Sequence, residues 1–95
     1  MNKPTAEVYN RAVRAVAAAC DASNRFAKLP DAHRDLISDA TLAMYLKFPD
    51  KTEEEYHRAV SRLATAVRSR KEGNQRIWTL NVPELGQRFV RVVPA

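Results

Sequence analysis

The chain has 95 residues, a formal net charge of +5 and a single cysteine. This length predicts one domain over residues 1–95, able to bury a modest core without disulfides or metals. One cysteine excludes an internal disulfide, as is typical of a reducing compartment. No apolar run approaches the roughly 20 residues that cross a bilayer. We therefore expect a soluble, cytoplasmic protein that does not contact a membrane.

The charge is divided unevenly along the chain. Residues 1–57 hold eight basic and nine acidic side chains, whereas residues 58–95 hold eight basic and only two acidic ones. The C-terminal part, residues 58–95, therefore carries all of the net positive charge. Such asymmetry indicates an anionic partner, although a charged surface that serves only solubility is the alternative.

The first predicted helix covers about residues 5–28, with Thr5 as its N-cap. It ends before Pro30, because the residue preceding a proline avoids the α region. Homodimerisation through this long helix is compatible with the sequence. Apolar residues at helical spacing predict one buried stripe, formed by Tyr9, Val13, Val16 and Cys20.

The second predicted helix covers about residues 31–47, with Asp31 as its cap, and ends at Pro49. A restart at Ser38, which would split the helix in two, is the alternative. Its apolar positions follow the helical period, namely Leu36 or Ile37, Ala40, Ala43, Met44 and Phe48.

The third predicted helix covers about residues 53–71 and has the strongest local signal. Thr52 and Glu55 form a capping box, in which each side chain accepts the backbone amide of the other residue. Gly73 is predicted to stop the helix. The buried stripe comprises Tyr56, Val60, Leu63 and Val67. The opposite, polar face comprises Arg58, Ser61, Arg62, Thr65, Arg68 and Ser69.

A β-hairpin is predicted over about residues 76–93, because both arms are rich in β-branched and aromatic residues. A turn at 83–86 would pair Val82 with Gln87, Leu80 with Phe89 and Trp78 with Arg91. The hairpin must dock on the helices, since an isolated hairpin is marginally stable. The predicted class is α+β, mainly α, with three helices followed by a C-terminal hairpin.

Few groupings suit catalysis or metal binding. His33 and His57 lack ligand partners at zinc-site spacing, and Cys20 falls within an apolar stripe, which favours core packing. The two glycines cannot form a phosphate loop. We therefore expect no enzymatic activity, metal or cofactor. A solvated face is favoured over a cation site for the acidic row of the second helix, Asp31, Asp35 and Asp39.

The basic residues of the C-terminal part form the candidate binding site. Arginines neutralise phosphates and release counterions, and hydroxyls between them donate to phosphates or base edges. Local roles are the alternative, such as a Glu54–Arg58 pair or Arg91 stacked on Trp78. The candidate residues are Arg58, Ser61, Arg62, Thr65, Arg68, Arg70, Lys71, Arg76, Arg88 and Arg91.

Residues 38–93 resemble winged helix-turn-helix domains in the order of their elements. Residues 41–46 are similar to the second helix of that family, 58–63 to its recognition helix and 76–93 to its wing. The resemblance implies a major-groove contact by the third helix and a phosphate contact by Arg88 near the wing tip. The groove-facing residues that it implies are Arg58, Ser61, Arg62 and Thr65.

Two functions are therefore expected. The first is a small regulatory protein that binds nucleic acid, with DNA preferred over RNA. The alternative is a phage- or mobile-element-type protein that binds and inhibits a host protein complex, as anti-CRISPR proteins do, through the same basic surface docked on an acidic patch of the partner. That second likeness is one of size and character.

Overall fold

The computed structural model describes residues 6–21 and 26–95. Over this part of the chain, three helices precede a three-stranded antiparallel sheet, which confirms the α+β, mainly α class. The helices are α1 (Ala6–Asp21), α2 (Asp31–Lys47) and α3 (Glu53–Ala66). The strands are β1 (Arg68–Glu72), β2 (Gln75–Val82) and β3 (Gln87–Pro94), in the order β1-β2-β3. Short 3₁₀ turns occur at Phe26–Lys28 and Pro83–Leu85.

The largest difference from the sequence-based prediction lies after α3. The sequence predicts a helix to residue 71, but α3 ends at Ala66 and residues 68–72 form β1. Val67 is the C-cap of α3, with an extended backbone, and its side chain stays buried. Val67 belongs to the predicted apolar stripe of a longer helix and is also buried as the extended C-cap, so the stripe could not reveal where the helix ends.

Gly73 belongs to the β1–β2 hairpin and does not cap a helix. Gly73 and Asn74 form its two-residue loop, and Gly73 has a φ of +61°. Glycine adopts this left-handed backbone without the penalty of a Cβ atom, and a glycine in the first loop position is typical of tight hairpins. The chain therefore reverses at this point.

The β2–β3 hairpin is confirmed in its register. Val82 pairs with Gln87, Leu80 with Phe89 and Trp78 with Arg91. Gly86, with a φ of +61°, closes the connecting 3₁₀ turn through its amide, which donates to the Pro83 carbonyl at 3.0 Å. The inward face of the hairpin packs on the helices, as predicted, with Leu80 fully buried and Trp78 and Phe89 partly buried.

The predicted stripe of α1 is only half correct. Val16 and Cys20 are buried, but Tyr9 and Val13 are 44% and 42% exposed. Ala12 and Ala19 lie in the core instead, because small side chains suit the close approach of α1 to its neighbours. The predicted cap, Thr5, lies outside the described residues. The described part of α1 reaches Asp21, and residues 26–28 form a 3₁₀ turn where helix was predicted.

The second helix is continuous, so no break occurs at Ser38. Asp31 does not cap it: Pro30 holds the N-cap position without a side-chain hydrogen bond, and Asp31 pairs with Arg34 in the first turn. Thr41 is buried and donates its hydroxyl to the Ile37 carbonyl at 2.7 Å, which satisfies this polar group. Of the predicted stripe, Ala43 and Phe48 are partly buried, whereas the fully buried residues are Leu36, Ile37, Ala40 and Met44.

The α2–α3 connection is fixed by aromatic side chains and by the predicted capping box. Tyr56 donates its hydroxyl to the Phe48 carbonyl, and its ring stacks on Tyr45 with 4.5 Å between centroids. Burial raises the pKa of Tyr56 to about 12, and the neighbouring Tyr45 contributes a smaller effect in the same direction. The Thr52 hydroxyl accepts the Glu55 amide at 3.2 Å, and the Glu55 carboxylate accepts the Thr52 amide at 3.1 Å.

The helices cover one face of the sheet, and the opposite face, here called the outer face, carries alternate residues of each strand. On the outer face, Val90 and Val92 are 49% and 52% exposed. They lie opposite Thr79 and Ile77 of β2, which are partly buried. None of the helices described in residues 6–21 and 26–95 has the length and apolar character needed to cross a membrane.

Candidate functional site

The exposed face of α3 presents Arg58, Ser61, Arg62 and Thr65, as the sequence predicts. The alternative local role of Arg58, an ion pair with Glu54, is not observed. Thr65 donates its hydroxyl to the Arg62 carbonyl at 2.8 Å, one turn earlier. The face therefore combines two guanidinium groups with two hydroxyls.

A shallow pocket of about 270 Å³ lies between this face and the α2–α3 connection. Three cationic side chains line it, those of Lys51, Arg58 and Arg62, together with the carboxylate of Glu55. Such an excess of positive charge suits an anion. Lys51 was missed by the sequence reasoning, which considered only residues from 58 onward. Its position, one residue before the capping box and two helical turns before Arg58, was the available signal.

The turn that connects β2 and β3 is attached to the helices. Arg62 forms an ion pair with Glu84 at 2.7 Å, and Lys47 donates to the Glu84 carbonyl at 3.3 Å. This turn is therefore not a free wing tip. Arg88, expected to contact phosphate from that tip, lies on the outer face and donates from Nε to the Asn81 side-chain oxygen at 2.9 Å. The tip of the β1–β2 hairpin, Gly73–Asn74, is exposed.

Two cations of the β1–β2 hairpin lie directly opposite each other. Lys71 of β1 pairs in register with Arg76 of β2. Like charges at opposed positions destabilise a ladder, and among the described residues the one side-chain partner of Arg76 is the neutral hydroxyl of Ser69, at 3.2 Å. A bound anion would relieve this repulsion.

The two arginines of β1 have partners close by in the chain. Arg70 pairs with Glu72 at 3.2 Å. Arg68 donates to the carbonyls of Thr65 and Val67 at 2.8 and 3.0 Å. Arg68 thus stabilises the negative end of the α3 dipole.

Arg91 is separated from the other candidate residues. It forms an ion pair with Asp39 of α2 at 2.7 Å, at the sheet edge opposite β1. The alternative role for Arg91, stacking on Trp78, is not observed; Trp78 lies beside His33 instead, with 5.6 Å between ring centroids. His33 Nε2 lies 2.9 Å from the Ala64 carbonyl oxygen. Arg91 therefore joins β3 to α2, and Asp39 of the acidic row is neutralised.

The ion pairs of the C-terminal part show which of its cations are available to bind an anion. Both carboxylates of the C-terminal part, Glu72 and Glu84, are already paired with arginines. Of the eight cations there, five have no carboxylate within 4.0 Å among the described residues, namely Arg58, Arg68, Lys71, Arg76 and Arg88.

The N-terminus of α3 has the opposite charge. Glu53, Glu54 and Glu55 are exposed there. The hydrogen bonds from the Thr52 amide and hydroxyl hold the pKa of Glu55 below its ordinary value, and Lys51 and Arg58 add smaller effects in the same direction. The Glu55 carboxylate therefore stays ionised at neutral pH.

We expect Thr52→Ala to lower the free energy of unfolding by about 1 kcal/mol at neutral pH, as the loss of a threonine N-cap does. Because the folded-state pKa of Glu55 is depressed, its stabilising effect is present above the unfolded-state pKa. It is lost as the pH falls through the folded-state value. Urea denaturation of both proteins at about pH 7 and pH 3 should therefore show a gap that narrows in acid. A constant gap would mean that the hydrogen bond from the Thr52 hydroxyl to the Glu55 carboxylate does not contribute, since the alanine variant keeps the bond from the backbone amide.

Outside the basic surface, an apolar cleft of about 320 Å³ lies between α1 and α2. Cys20, which lines it, is buried, and burial raises the pKa of its thiol. The thiol lies 4.0 Å from the Ser38 hydroxyl. In the described residues, no three histidine, cysteine, aspartate or glutamate side chains are grouped as a metal site requires.

No protein-family model, curated protein or solved structure matches this chain.

Proposed function

We propose that the protein is a non-enzymatic, cytoplasmic, regulatory protein that binds nucleic acid, with DNA preferred over RNA. The observation that carries this proposal is the set of five cations of the C-terminal part without a carboxylate partner. Cations of this kind bind phosphates and release counterions. The opposed pair Lys71 and Arg76 supports it further, because an anion would offset their repulsion.

The proposed phosphate-contacting surface comprises the exposed face of α3 and the β1–β2 hairpin, and Arg88 of β3 supplies a further contact from the outer face. The pocket beside Arg58 and Arg62 suits one phosphate, and the hydroxyls of Ser61 and Thr65 lie on the same helix face. Phosphate contacts position a protein on the duplex and carry no direct sequence information.

The acidic N-terminus of α3 restricts the orientation of the helix. Recognition helices usually contact bases with their N-terminal residues, but residues 53–55 would bring three carboxylates to the phosphates. We therefore propose an approach through the face of α3 from Arg58 onward and the β1–β2 hairpin, in which contacts to the phosphate backbone dominate over base reading.

The Arg58→Ala/Arg62→Ala double variant is expected to weaken DNA binding and to lower the salt slope by about one unit for Arg58, with a smaller effect for Arg62, which is already paired with Glu84. The matched control is Arg11→Ala/Arg14→Ala, which removes the same charge from the exposed surface of α1. Fluorescence anisotropy on a labelled duplex measures both slopes. Arg88→Ala should lower the slope by about one unit. Equal slopes for the two double variants would refute the proposed surface.

Glu53→Gln/Glu54→Gln provides a test in the opposite direction. Neither residue belongs to the capping pair, so the helix start is retained. Binding should become tighter in the same anisotropy assay, because repulsion near the phosphates is removed. Unchanged affinity would mean that this end of α3 lies far from the nucleic acid.

The second candidate function, inhibition of a host protein complex, is favoured by one observation. The outer face exposes Val90 and Val92 beside Ile77, and apolar groups flanked by arginines are typical of protein interfaces. This function predicts DNA binding only at low salt, together with a stable protein partner in a pull-down.

A further inference from the structure

β1 is an edge strand with one open side. In the order β1-β2-β3 it pairs only with β2, and all five of its residues are exposed. Within the described chain, no strand lies on its other side. An edge strand presents unpaired backbone N–H and C=O groups that another strand can bind.

The register shows which backbone groups of β1 face outward. Glu72 and Gln75 flank a two-residue loop, so they form the hydrogen-bonded pair that closes it. Bonded and non-bonded pairs alternate along an antiparallel ladder. Ser69 and Lys71 are therefore in non-bonded pairs, and their backbone N–H and C=O groups point away from β2.

The side chains of β1 restrict what can bind beside it. The strand has three cationic side chains and one carboxylate, Glu72, which is paired with Arg70. The cations are Arg68, Arg70 and Lys71. Two copies of this edge would repel each other, since opposed like charges destabilise a ladder. An acidic strand, in contrast, would place carboxylates opposite Arg68 and Arg70, which share the outer face.

We propose that β1 accepts an acidic, extended segment of a partner protein as a fourth strand of the sheet. Main-chain hydrogen bonds to Ser69 and Lys71 supply affinity, and the cationic side chains select for acidic residues. This proposal goes beyond nucleic-acid binding because it depends on the backbone of β1, whereas phosphate contacts depend on side chains.

The test uses a fluorescent seven-residue peptide in which glutamate and valine alternate, titrated with the full-length protein. We expect binding of this peptide and none of the same peptide with lysine for glutamate. Two further peptides carry N-methyl groups on alternate backbone amides, one peptide at the odd-numbered residues and the other at the even-numbered residues. Only one of these two sets of N–H groups points toward β1. One N-methyl peptide should therefore lose about fivefold or more in affinity, and the other should not.

A pair of variants at one position tests the same hydrogen bond from the side of the protein. Ser69→Ala and Ser69→Pro both remove the hydroxyl that accepts from Arg76, but only proline removes the outward N–H. Proline is tolerated on edge strands where the N–H faces solvent. We expect the alanine variant to bind the peptide as the unmodified protein does and the proline variant to bind about fivefold more weakly.

Several results would overturn the proposal. Equal binding of the two N-methyl peptides by the unmodified protein would show that charge alone holds the peptide. A peptide-sensitive dimer in sedimentation would show that a second copy occupies the edge. Failure of this proposal can be distinguished from failure of nucleic-acid binding. The Arg58→Ala/Arg62→Ala variant removes side chains proposed to contact phosphate but keeps the backbone amides of Ser69 and Lys71, so it should still bind the peptide.

Discussion

Replacing Leu63 with alanine is expected to lower the free energy of unfolding by roughly 2–5 kcal/mol, as truncation of a buried leucine does. Leu63 is 3% exposed and belongs to the core cluster, which also contains Val60 of the same helix and Leu80 of β2. The truncation leaves a cavity at the place where α3 meets the core, and the surrounding structure relaxes only partly.

The neighbouring substitution Arg62→Ala is the matched control. Its side chain is 55% exposed, so the ion pair with Glu84 contributes about 0–1 kcal/mol. Urea denaturation followed by the fluorescence of Trp78 gives both free energies. Equal losses would mean that the assignment of the buried and exposed faces of α3 is incorrect.

DNA affinity is expected to fall steeply as salt is raised. If the five cations without a carboxylate partner among the described residues each neutralise one phosphate, the slope of log affinity against log salt is about −4.5. Between about 50 and 200 mM salt, the affinity should then fall roughly 500-fold. Anisotropy at the two concentrations, with labelled duplex and single-stranded probes, measures this change.

The same measurement separates the two candidate functions. No detectable binding at about 50 mM salt would contradict nucleic-acid binding, because the electrostatic attraction is then strongest. Weak binding that disappears near about 200 mM, together with a stable partner in a pull-down, would favour the inhibitor function.

The parts of the fold that the sequence predicts correctly are those with a strong local pattern. The capping box at Thr52 fixes the start of α3, and the alternation around Leu80 and Phe89 fixes the β2–β3 register. Both patterns identify the buried side of an element. They were sufficient for the class, the hairpin and the buried face of α3.

Other parts depend on contacts that no local pattern contains. β1 has no buried residue and no apolar alternation, so only its pairing with β2 makes it a strand. The polar residues after Val67 could equally have extended the helix. In α1, the choice between Val13 and Ala12 as the buried residue depends on how closely the helices approach, which the helical period does not specify.

The sequence identified the cations of the candidate site but not which of them form ion pairs with carboxylates. Arg91 pairs with Asp39 of α2, and Arg62 with Glu84 of the distant turn. These pairs join residues far apart in the chain, so spacing alone could not distinguish them from Arg58, Lys71 and Arg76. Lys51 was overlooked because it lies just before the segment with the net positive charge.

The strand order β1-β2-β3 has a consequence for how the protein folds. Each strand pairs only with its neighbour in the chain, across a two-residue loop and a short turn. Closing such short loops costs little entropy, and proteins dominated by contacts between chain neighbours fold quickly. The sheet therefore does not depend on the long segment from α1 to α3 to bring its strands together, and the two edges of the central strand β2 remain unpaired for only a short time during folding.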